Sequence, residues 1–241
     1  MNTKMEHEVP GLLPHAEVDG RRRGEMFALL SRHFEGVTRE QFERDLAEKN
    51  WVVEIRCEGR LLGFSTLLVA EGEYKGDVFT AIYSGDTIVE PKAWGSPALA
   101  RTWIRAVNSL RAADPARPCY WLLLTSGFRT YRFLPVFWRE FFPRFNTPTP
   151  GYSQQLLEHL ARTQYARLYD TASGVVRFPN PQRLRGPLGA VTAGRMSDPH
   201  IAFFLARNPG HVNGDELVCL TEISEQNLTR AGRRMVAAAE P

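Results

Sequence analysis

The side chains best suited to chemistry lie within one apolar, β-branched stretch, from Phe79 to Val89, which is predicted to be a strand. Its polar members are Tyr83, Ser84 and Asp86. A carboxylate on a mostly apolar strand costs free energy unless it is paired, which makes Asp86 a candidate for a functional role. The alternative is a bulge at Ser84-Gly85-Asp86, in which the aspartate only accepts hydrogen bonds from backbone amides.

A turn and the start of a helix follow this strand directly. Val89-Glu90-Pro91 ends the apolar run, and a short turn that contains Gly95 comes next. Ser96 can cap free helix amides and Pro97 suits the first helical position, so a helix is predicted from Ala98 to about Arg111. The free amides and the dipole at such a helix start can bind an anion beside the strand end.

A second apolar run and an aromatic segment come after this helix. The run from Cys119 to Leu124 is too short for a helix of its own and is predicted to be a buried strand. The chain beyond it is rich in arginine and aromatic residues, among them Arg129, Tyr131 and Arg132. Tyr131 either points into a site at the end of the strand or packs under the sheet. The two arginines either contact an anion or are solvated.

The order of strand, Val-x-Pro, short glycine-containing turn, helix, strand and second helix resembles the acyl-CoA-binding core of the GNAT (Gcn5-related N-acetyltransferase) superfamily, over roughly residues 24–143. The resemblance implies an α/β fold with a mixed, mostly antiparallel central sheet flanked by helices. The family places its pantetheine-binding strand end at Val89-Glu90-Pro91 and its pyrophosphate loop at Lys92 to Pro97. The loop is atypical, because the second glycine position is Pro97, which has no amide to donate.

The resemblance also implies a reaction and roles for particular residues. An acyl group would move from a phosphopantetheine thioester, such as acyl-CoA, to an amine or hydroxyl of a small-molecule acceptor. Asp86 would accept the acceptor's proton, Tyr131 would protonate the departing sulfur, and Tyr83 is a third catalytic candidate. A backbone amide at the strand end would stabilise the thioester oxyanion. The residues expected to hold the donor are Val89, Lys92, Trp94, Gly95, Ser96, Ala98 and Leu99.

Two alternatives stay open at this point. Because the loop is atypical, an acyl-carrier protein is an alternative donor, and the basic residues Lys92, Arg101 and Arg105 would then meet its acidic surface. The second alternative is a non-catalytic protein of the same fold that binds a small molecule or a partner. A homodimer also stays open.

Composition narrows the class of protein. The chain has 241 residues, of which 43% are hydrophobic and 24% charged, as in an ordinary globular protein. The formal net charge of +3 comes without a dense basic stripe, so a nucleic-acid partner is not expected. The three cysteines, Cys57, Cys119 and Cys219, are scattered and form no disulfide framework, which favours a reducing cytoplasm.

Two further features are not expected. The N-terminus lacks a signal pattern and no apolar run is long enough for a membrane span. The spacing of Asp198, His200, His211 and Asp215 matches no known pattern of metal ligands. Helix capping and turns are sufficient to explain both aspartates, so no metal is expected.

The chain is predicted to have three parts. Residues 1–20 are expected to be a flexible N-terminal arm, and residues 21–145 the donor-binding core. Residues 146–241 are expected to form an α+β extension that packs on the core and adds a strand, from Glu216 to Ile223, to its sheet.

Overall fold

The computed structural model describes residues 10–237 of the chain. Its strands are β1 (Leu12–Pro14), β2 (Phe34–Glu35), β3 (Trp51–Cys57), β4 (Arg60–Tyr74), β5 (Asp77–Val89), β6 (Cys119–Thr125), β7 (Tyr169–Asp170), β8 (Val175–Val176), β9 (Arg183–Leu184) and β10 (Glu216–Glu222). Its α-helices are α1 (Gly20–His33), α2 (Arg39–Ala47), α3 (Ala98–Ala112), α4 (Phe128–Tyr131), α5 (Phe133–Phe137), α6 (Gly151–Tyr165), α7 (Pro199–Arg207) and α8 (Arg230–Ala237).

An eight-stranded sheet organises these elements, in the order β1-β3-β4-β5-β6-β10-β8-β7. Neighbouring strands are antiparallel throughout this sheet except for β5 and β6, which are parallel. Strands β2 and β9 form a separate two-stranded sheet. The predicted fold class, a mixed and mostly antiparallel sheet flanked by helices, is confirmed.

The parallel strands β5 and β6 pair over only part of their length. Their register runs from Thr80 opposite Cys119 to Ser84 opposite Leu123. Strand β5 then continues to Val89 without a partner on that side, whereas the last residues of β6 pair with β10 on its other side. The two strands therefore part after Ser84 and leave one backbone edge of β5 open.

A bulge in β5 lies where the strands part. Ser65 of β4 is opposite Thr87, and Leu67 is opposite Ser84, so Gly85 and Asp86 together face Thr66. Two residues against one is the geometry of a β-bulge, which re-aims side chains and bends the strand. The bulge considered from the sequence is present, and it moves Asp86 out of the regular alternation of β5.

Helices cover both faces of the sheet. Helix α3 packs Trp103, Ile104 and Val107 on one face, against a core that includes Ile82 and Trp121. Because strand side chains alternate, the neighbouring residues of β4 and β5 face the other way. On that second face α1 and α2 cover Phe64 and Ile88, and α6 covers Tyr83, Leu122 and Val218. Along β5 the bulge at Gly85 and Asp86 therefore lies between Tyr83, under α6, and Ile88, under α1 and α2.

The prediction of a flexible arm over residues 1–20 needs correction for its second part. Leu12 pairs with Val53 as β1 adds to the edge of the sheet, and the Asp19 side chain caps α1 by accepting from the Arg22 amide. A short apolar strand forms mainly because it pairs with a neighbouring strand, and its own sequence gives only a weak signal. The glycines and prolines of this segment made that signal weaker still. Residues 1–9 lie outside the described part of the chain.

The C-terminal third shares the main sheet. Strand β10 lies between β6 and β8, with Leu220 opposite Leu122, in agreement with the predicted added strand. The last helix begins at Arg230, after a turn that the Asn227 amide closes by donating to the Ser224 carbonyl. Within residues 10–237 no helix combines the length and apolar character needed to cross a membrane.

Candidate functional site

The open edge of β5 is the first component of the site. The Glu90 amide donates to the Leu62 carbonyl of β4 at 2.8 Å. Because alternate residues of a strand turn their backbone groups to opposite sides, the backbone groups of Val89 point away from β4, toward the side that β6 has left. The Val89 carbonyl there accepts a hydrogen bond from the Trp94 indole Nε1 at 2.9 Å. We call the space beside Thr87–Val89 the edge opening.

Side chains from three segments meet across the edge opening. The Arg129 guanidinium of α4 lies over the Trp94 ring, 4.1 Å from its centroid. The same guanidinium donates to the Leu188 carbonyl at 2.7 Å, in the 3₁₀ turn Gly186–Gly189. Burial and the nearby Arg195 charge lower the pKa of Arg129. In this conformation Trp94 and Arg129 thus cover part of the edge that a ligand would use.

Most backbone amides in the turn between β5 and α3 donate hydrogen bonds to acceptors within the same turn. The amides of Ala93 and Trp94 donate to carbonyls at the start of the turn, and the Ser96 amide donates to Ala93. The Ala98 amide donates to the Ser96 hydroxyl at 3.1 Å, while Pro97 is the N-cap residue and not the first helical residue as predicted. Among the described residues, the amides of Gly95 and Leu99 have no such internal acceptor.

The predicted donor-binding residues lie close together because they are neighbours in sequence, but their exposure to solvent differs. Lys92, Trp94, Gly95 and Ser96 are exposed, whereas Ala98 and Leu99 are partly buried and Val89 is buried. Contacts to an anion at the helix start would come from the Lys92 side chain, the Ser96 hydroxyl and the two amides that are not used inside the turn.

An acidic group on the second face of the sheet is the other component. Asp86 of the bulge is partly buried, and Asp45 of α2 and Glu216 of β10 lie near it. Burial raises the pKa of Asp86 to about 6, and the Asp45 charge adds to the rise, against Lys49 and a hydrogen bond from the Gln182 side chain. We call the space bounded by Asp45, Asp86 and Glu216 the acidic cleft.

Sequence reasoning missed Asp45 of this cleft and also Glu216, which lies on β10. Burial raises its pKa to about 8, and the Asp86 charge acts in the same direction. Its position could have been inferred, because Val218 and Leu220 face the core on alternate residues of the same strand and Glu216 shares their parity. Burial also raises the pKa of Asp45. The acidic cleft is therefore a place where a positive charge would be strongly favoured.

The bulge glycine makes room for the lysine of this cleft. A Cβ atom at Gly85 would lie 2.8 Å from Cε of Lys49 and 2.6 Å from Oγ1 of Thr66. The Lys49 ammonium donates to the Asp45 carbonyl at 3.0 Å. Glycine at this position thus allows the Lys49 side chain to cross the strand beside Asp86.

The other polar residues of β5 have structural partners. Ser84 is buried, and its hydroxyl accepts from the Trp121 indole at 3.0 Å on the α3 face. Tyr83 packs against α6 on the second face, where burial raises its pKa. Tyr165 of α6 lies close to both Tyr83 and Glu216, and burial raises its pKa as well. Tyr83 therefore borders the acidic cleft from within the core.

Tyr131 does not lie at the edge opening. It is fully buried, its hydroxyl donates to the Pro143 carbonyl at 3.1 Å, and its ring lies 5.3 Å from that of Phe204. Burial raises its pKa far above the ordinary value. This is the packing alternative considered above, and it does not fit the predicted protonation of a departing thiolate, because a buried, hydrogen-bonded phenol is held away from the reacting atoms.

A protein metal site needs several ligand side chains that lie close together. Within residues 10–237 no group of three or more histidine, cysteine, aspartate or glutamate side chains is arranged to hold a metal ion. Asp198 instead caps α7 by accepting from the His200 amide at 2.9 Å, and Asp215 pairs with Arg177 at 3.0 Å.

Solved structures similar to the chain are acyl- and acetyltransferases. An acyl-CoA N-acyltransferase from Pseudomonas aeruginosa is 14% identical, over 46% of this chain and 76% of that one, with a TM-score of 0.35. A probable N-acyltransferase from Enterococcus faecalis V583 is 11% identical, over 88% and 64%, with a TM-score of 0.42. An aminoglycoside 6'-N-acetyltransferase complexed with coenzyme A is 12% identical, over 88% and 97%, with a TM-score of 0.38.

No protein-family model matches the chain, and no curated protein sequence does. These similar structures are named as acyltransferases or acetyltransferases, the activity that the sequence resemblance implies. Identities and TM-scores this low carry no conclusion about donor, acceptor or residue roles in this chain.

Proposed function

We propose that the protein is an acyltransferase that moves an acyl group from a phosphopantetheine thioester, with acyl-CoA as donor, to an amine acceptor. The observation that carries this proposal is the parting of β5 and β6 at a bulge that holds Asp86. It places an open backbone edge and a carboxylate with a raised pKa within a few residues of each other. An open edge can pair with the amides of a pantetheine arm, and a carboxylate can take a proton from a nucleophile.

The donor is proposed to bind along the edge opening. An amide of the pantetheine arm would donate to the Val89 carbonyl in place of the Trp94 indole, which must first move away. The donor phosphates would then lie near Lys92, Ser96 and the amides of Gly95 and Leu99 at the start of α3. An acyl-carrier protein would present the same arm, and we take it as the alternative donor.

The acceptor is proposed to be an amine because of the charge in the acidic cleft. An ammonium group near Asp45, Asp86 and Glu216 would favour the charged form of these buried carboxyls, whereas an anion would be repelled. A second positive charge on the acceptor would pair with Glu216, and the Glu216 carboxyl would lose its proton when that charge binds beside it. An acceptor with two or more amino groups suits this cleft best.

The proposed chemistry is direct transfer. The bound ammonium group first loses one proton to solvent. The neutral amine nitrogen then attacks the thioester carbonyl carbon, a C–N bond forms, and a second nitrogen proton passes to Asp86 directly or through water. A Val89 or neighbouring edge amide stabilises the oxyanion, and the C–S bond then breaks. A thiolate is stable enough near neutral pH to leave before it is protonated by solvent. No role is assigned to Tyr131 in this sequence of steps.

A direct assay tests the proposal. The full chain is incubated with acetyl-CoA and, in turn, with a polyamine, an aminoglycoside, an amino sugar and a matched alcohol, and release of free thiol is followed. We expect release that depends on an amine with several charges and is absent with the alcohol. Absence of both CoA binding by calorimetry and thiol release would contradict the proposal.

The non-catalytic alternative is favoured by one observation, which is that Trp94 and Arg129 occupy the edge opening. If this closure is permanent, the chain binds amines in the acidic cleft without any response to a thioester. Binding of an amine that is unchanged by saturating acetyl-CoA, together with no thiol release, would favour this second function.

A further inference from the structure

A separate pocket of about 220 Å³ lies at the outer edge of β10. On this edge Leu220 bridges to Phe142, and Glu216 and Leu217 pair with β8, so the strand has no strand partner between them in the described part of the chain. Val218 forms part of the pocket wall at this gap. The pocket shares no lining residue with the edge opening or with the acidic cleft.

Two buried donors in the pocket wall lack hydrogen-bond partners. Tyr169 is only 6% exposed, and its hydroxyl has no partner within residues 10–237. Nε of Arg144 is buried without a partner in the same part of the chain, although Nη1 of this residue donates to the Arg139 carbonyl at 2.7 Å. Both residues line the pocket. Buried donors without acceptors are rare and costly, so two in one small wall point to an acceptor from outside. Neither atom is exposed to solvent, so the wall must open slightly for such an acceptor to reach them.

The side chains around the pocket carry a net positive charge when acids that already pair with an arginine are left out. Arg144 and Arg207 line it, and Arg207 donates to the Ser173 carbonyl at 3.4 Å. Of the neighbouring acids, Asp170 pairs with Arg177 at 3.1 Å. Glu158 accepts from the neutral Gln154 at 2.7 Å and keeps its charge, but Arg144, Arg162 and Arg207 outnumber it near Tyr169. An anionic group is therefore the expected partner.

Part of the remaining wall is apolar, beside the polar side chains of Thr147, Thr149, Gln154 and Thr171, and this apolar part limits the class of anion. Leu157, Val218, Phe203 and Pro143 contribute it. A pocket of this volume lies below the roughly 300–1,000 Å³ of sites for drug-sized ligands. A bare phosphate would leave the apolar wall uncovered, whereas a short apolar chain that ends in a carboxylate would cover it and satisfy the donors.

We propose that this pocket binds a small aliphatic carboxylate, with the carboxylate held by Arg144, Arg207 and the Tyr169 hydroxyl and the chain against Leu157 and Val218. The proposal does not depend on the transferase reaction. It assigns this chain a second ligand site on the edge of the sheet, distinct from the place where acyl transfer is proposed.

Binding is tested with hexanoate as the probe, by calorimetry and thermal unfolding of the full chain at constant ionic strength. We expect saturable binding of hexanoate, much weaker binding of inorganic phosphate, and none of 1-hexanol. Tyr169→Phe should weaken hexanoate binding about tenfold. The same variant should unfold at or above the wild-type temperature without ligand, since the lost hydroxyl has no partner to lose.

A matched control is Tyr152→Phe, which removes an exposed hydroxyl that donates to Asp77 and lies outside the pocket. It should leave hexanoate binding unchanged. No saturable binding, equal binding of phosphate and hexanoate, or equal affinity in wild type and Tyr169→Phe would each overturn the proposal. Because both variants are expected to fold, a loss of affinity confined to Tyr169→Phe supports it.

Discussion

The edge opening is formed mostly by residues close together in sequence, whereas the acidic cleft is formed by residues far apart in sequence. The residues around the edge opening come mostly from one continuous stretch, β5 and the turn into α3, with Arg129 reaching in from α4. The acidic cleft joins α2, the bulge in β5, the start of β10 and the Gln182 side chain, which are distant in sequence. A local motif can therefore indicate where a donor binds, but only the assembled sheet shows what kind of acceptor would be attracted.

The two regions also differ in how ready they are for a ligand. The acidic cleft already holds carboxylates whose pKa values are raised by burial, so a cation entering it restores their charge. The edge opening instead has its exposed carbonyl occupied by a side chain of the same protein. Acceptor recognition would thus depend on charge that is fixed in place, and donor recognition on a movement of Trp94.

The largest expected effect comes from the carboxylate shared by both regions. Asp86→Asn should lower kcat/KM for amine acylation by a factor of about 10² to 10⁴, because the proton acceptor is removed while the shape is kept. Thiol release measured with acetyl-CoA checks this. An unchanged rate, in a variant with wild-type unfolding temperature, would remove Asp86 from the mechanism.

The pH profile gives a matched control for the same residue. The wild-type rate should rise with pH through about 6, as Asp86 loses its proton. Groups facing Asp86 are Asp45, Lys49, Gln182 and Glu216, so the midpoint belongs to the cluster. Asp45→Asn removes a charge that raises the pKa of Asp86 and should move the midpoint to lower pH. A midpoint that does not move would contradict the coupling of these two residues.

The next effect concerns stability and only the acidic cleft. The pKa of Glu216 is raised from 4.5 to about 8 in the folded protein, so its contribution is fully present below pH 4.5 and is lost as pH rises through about 8. We expect Glu216→Gln to flatten the fall in unfolding temperature between pH 5 and 9 and to be more stable than wild type at pH 9. Parallel wild-type and variant curves would show that Glu216 is charged in the folded state.

A smaller effect is expected at the edge opening. Trp94→Phe keeps a ring for Arg129 to stack on but removes the N–H that occupies the Val89 carbonyl. Donor affinity measured with CoA should rise by about threefold to tenfold, the value of one hydrogen bond that no longer has to be broken. Arg129→Gln should act in the same direction. Weaker binding in Trp94→Phe would instead place the indole in contact with the donor.

The smallest effect is expected at Tyr131. Tyr131→Phe should lower the free energy of unfolding by about 1 kcal/mol, through loss of the bond to the Pro143 carbonyl, and leave kcat for acyl transfer unchanged. Chemical unfolding and the thiol assay measure the two quantities. A rate loss of more than tenfold would restore the role that the sequence resemblance gave to this tyrosine.

Much of the architecture followed from local signals. The strand that ends at Val89, the helix that begins at Ala98 and the strand that begins at Cys119 all lie where the sequence predicted them. Each depends on a few neighbouring residues, through the periodicity of their side chains or the hydrogen bonds of a cap. Strand β1 was missed because its partner, β3, lies far along the chain.

The candidate site was predictable to a lesser degree. Asp86 stood out because a carboxylate on an apolar strand needs a reason, and the turn into α3 because a capping serine and a proline precede a helix. Tyr131 was misplaced because a tyrosine near the end of a strand has the same local sequence whether it faces a cleft or the core. Its burial is decided by Phe204 of α7 and the Pro143 carbonyl, neither of which is its neighbour in sequence.

Local sequence was sufficient for the order of strands and helices, the end of β5 and the residues that follow it, because periodicity and capping act over one or two turns of chain. Three features needed the folded sheet: the parting of β5 from β6, the approach of Asp45 and Glu216 to Asp86, and the closure of the edge opening by Trp94 and Arg129. Each of these is set by strand register and by helices packing across the sheet. Register and packing are decided by contacts between segments that are far apart in the chain.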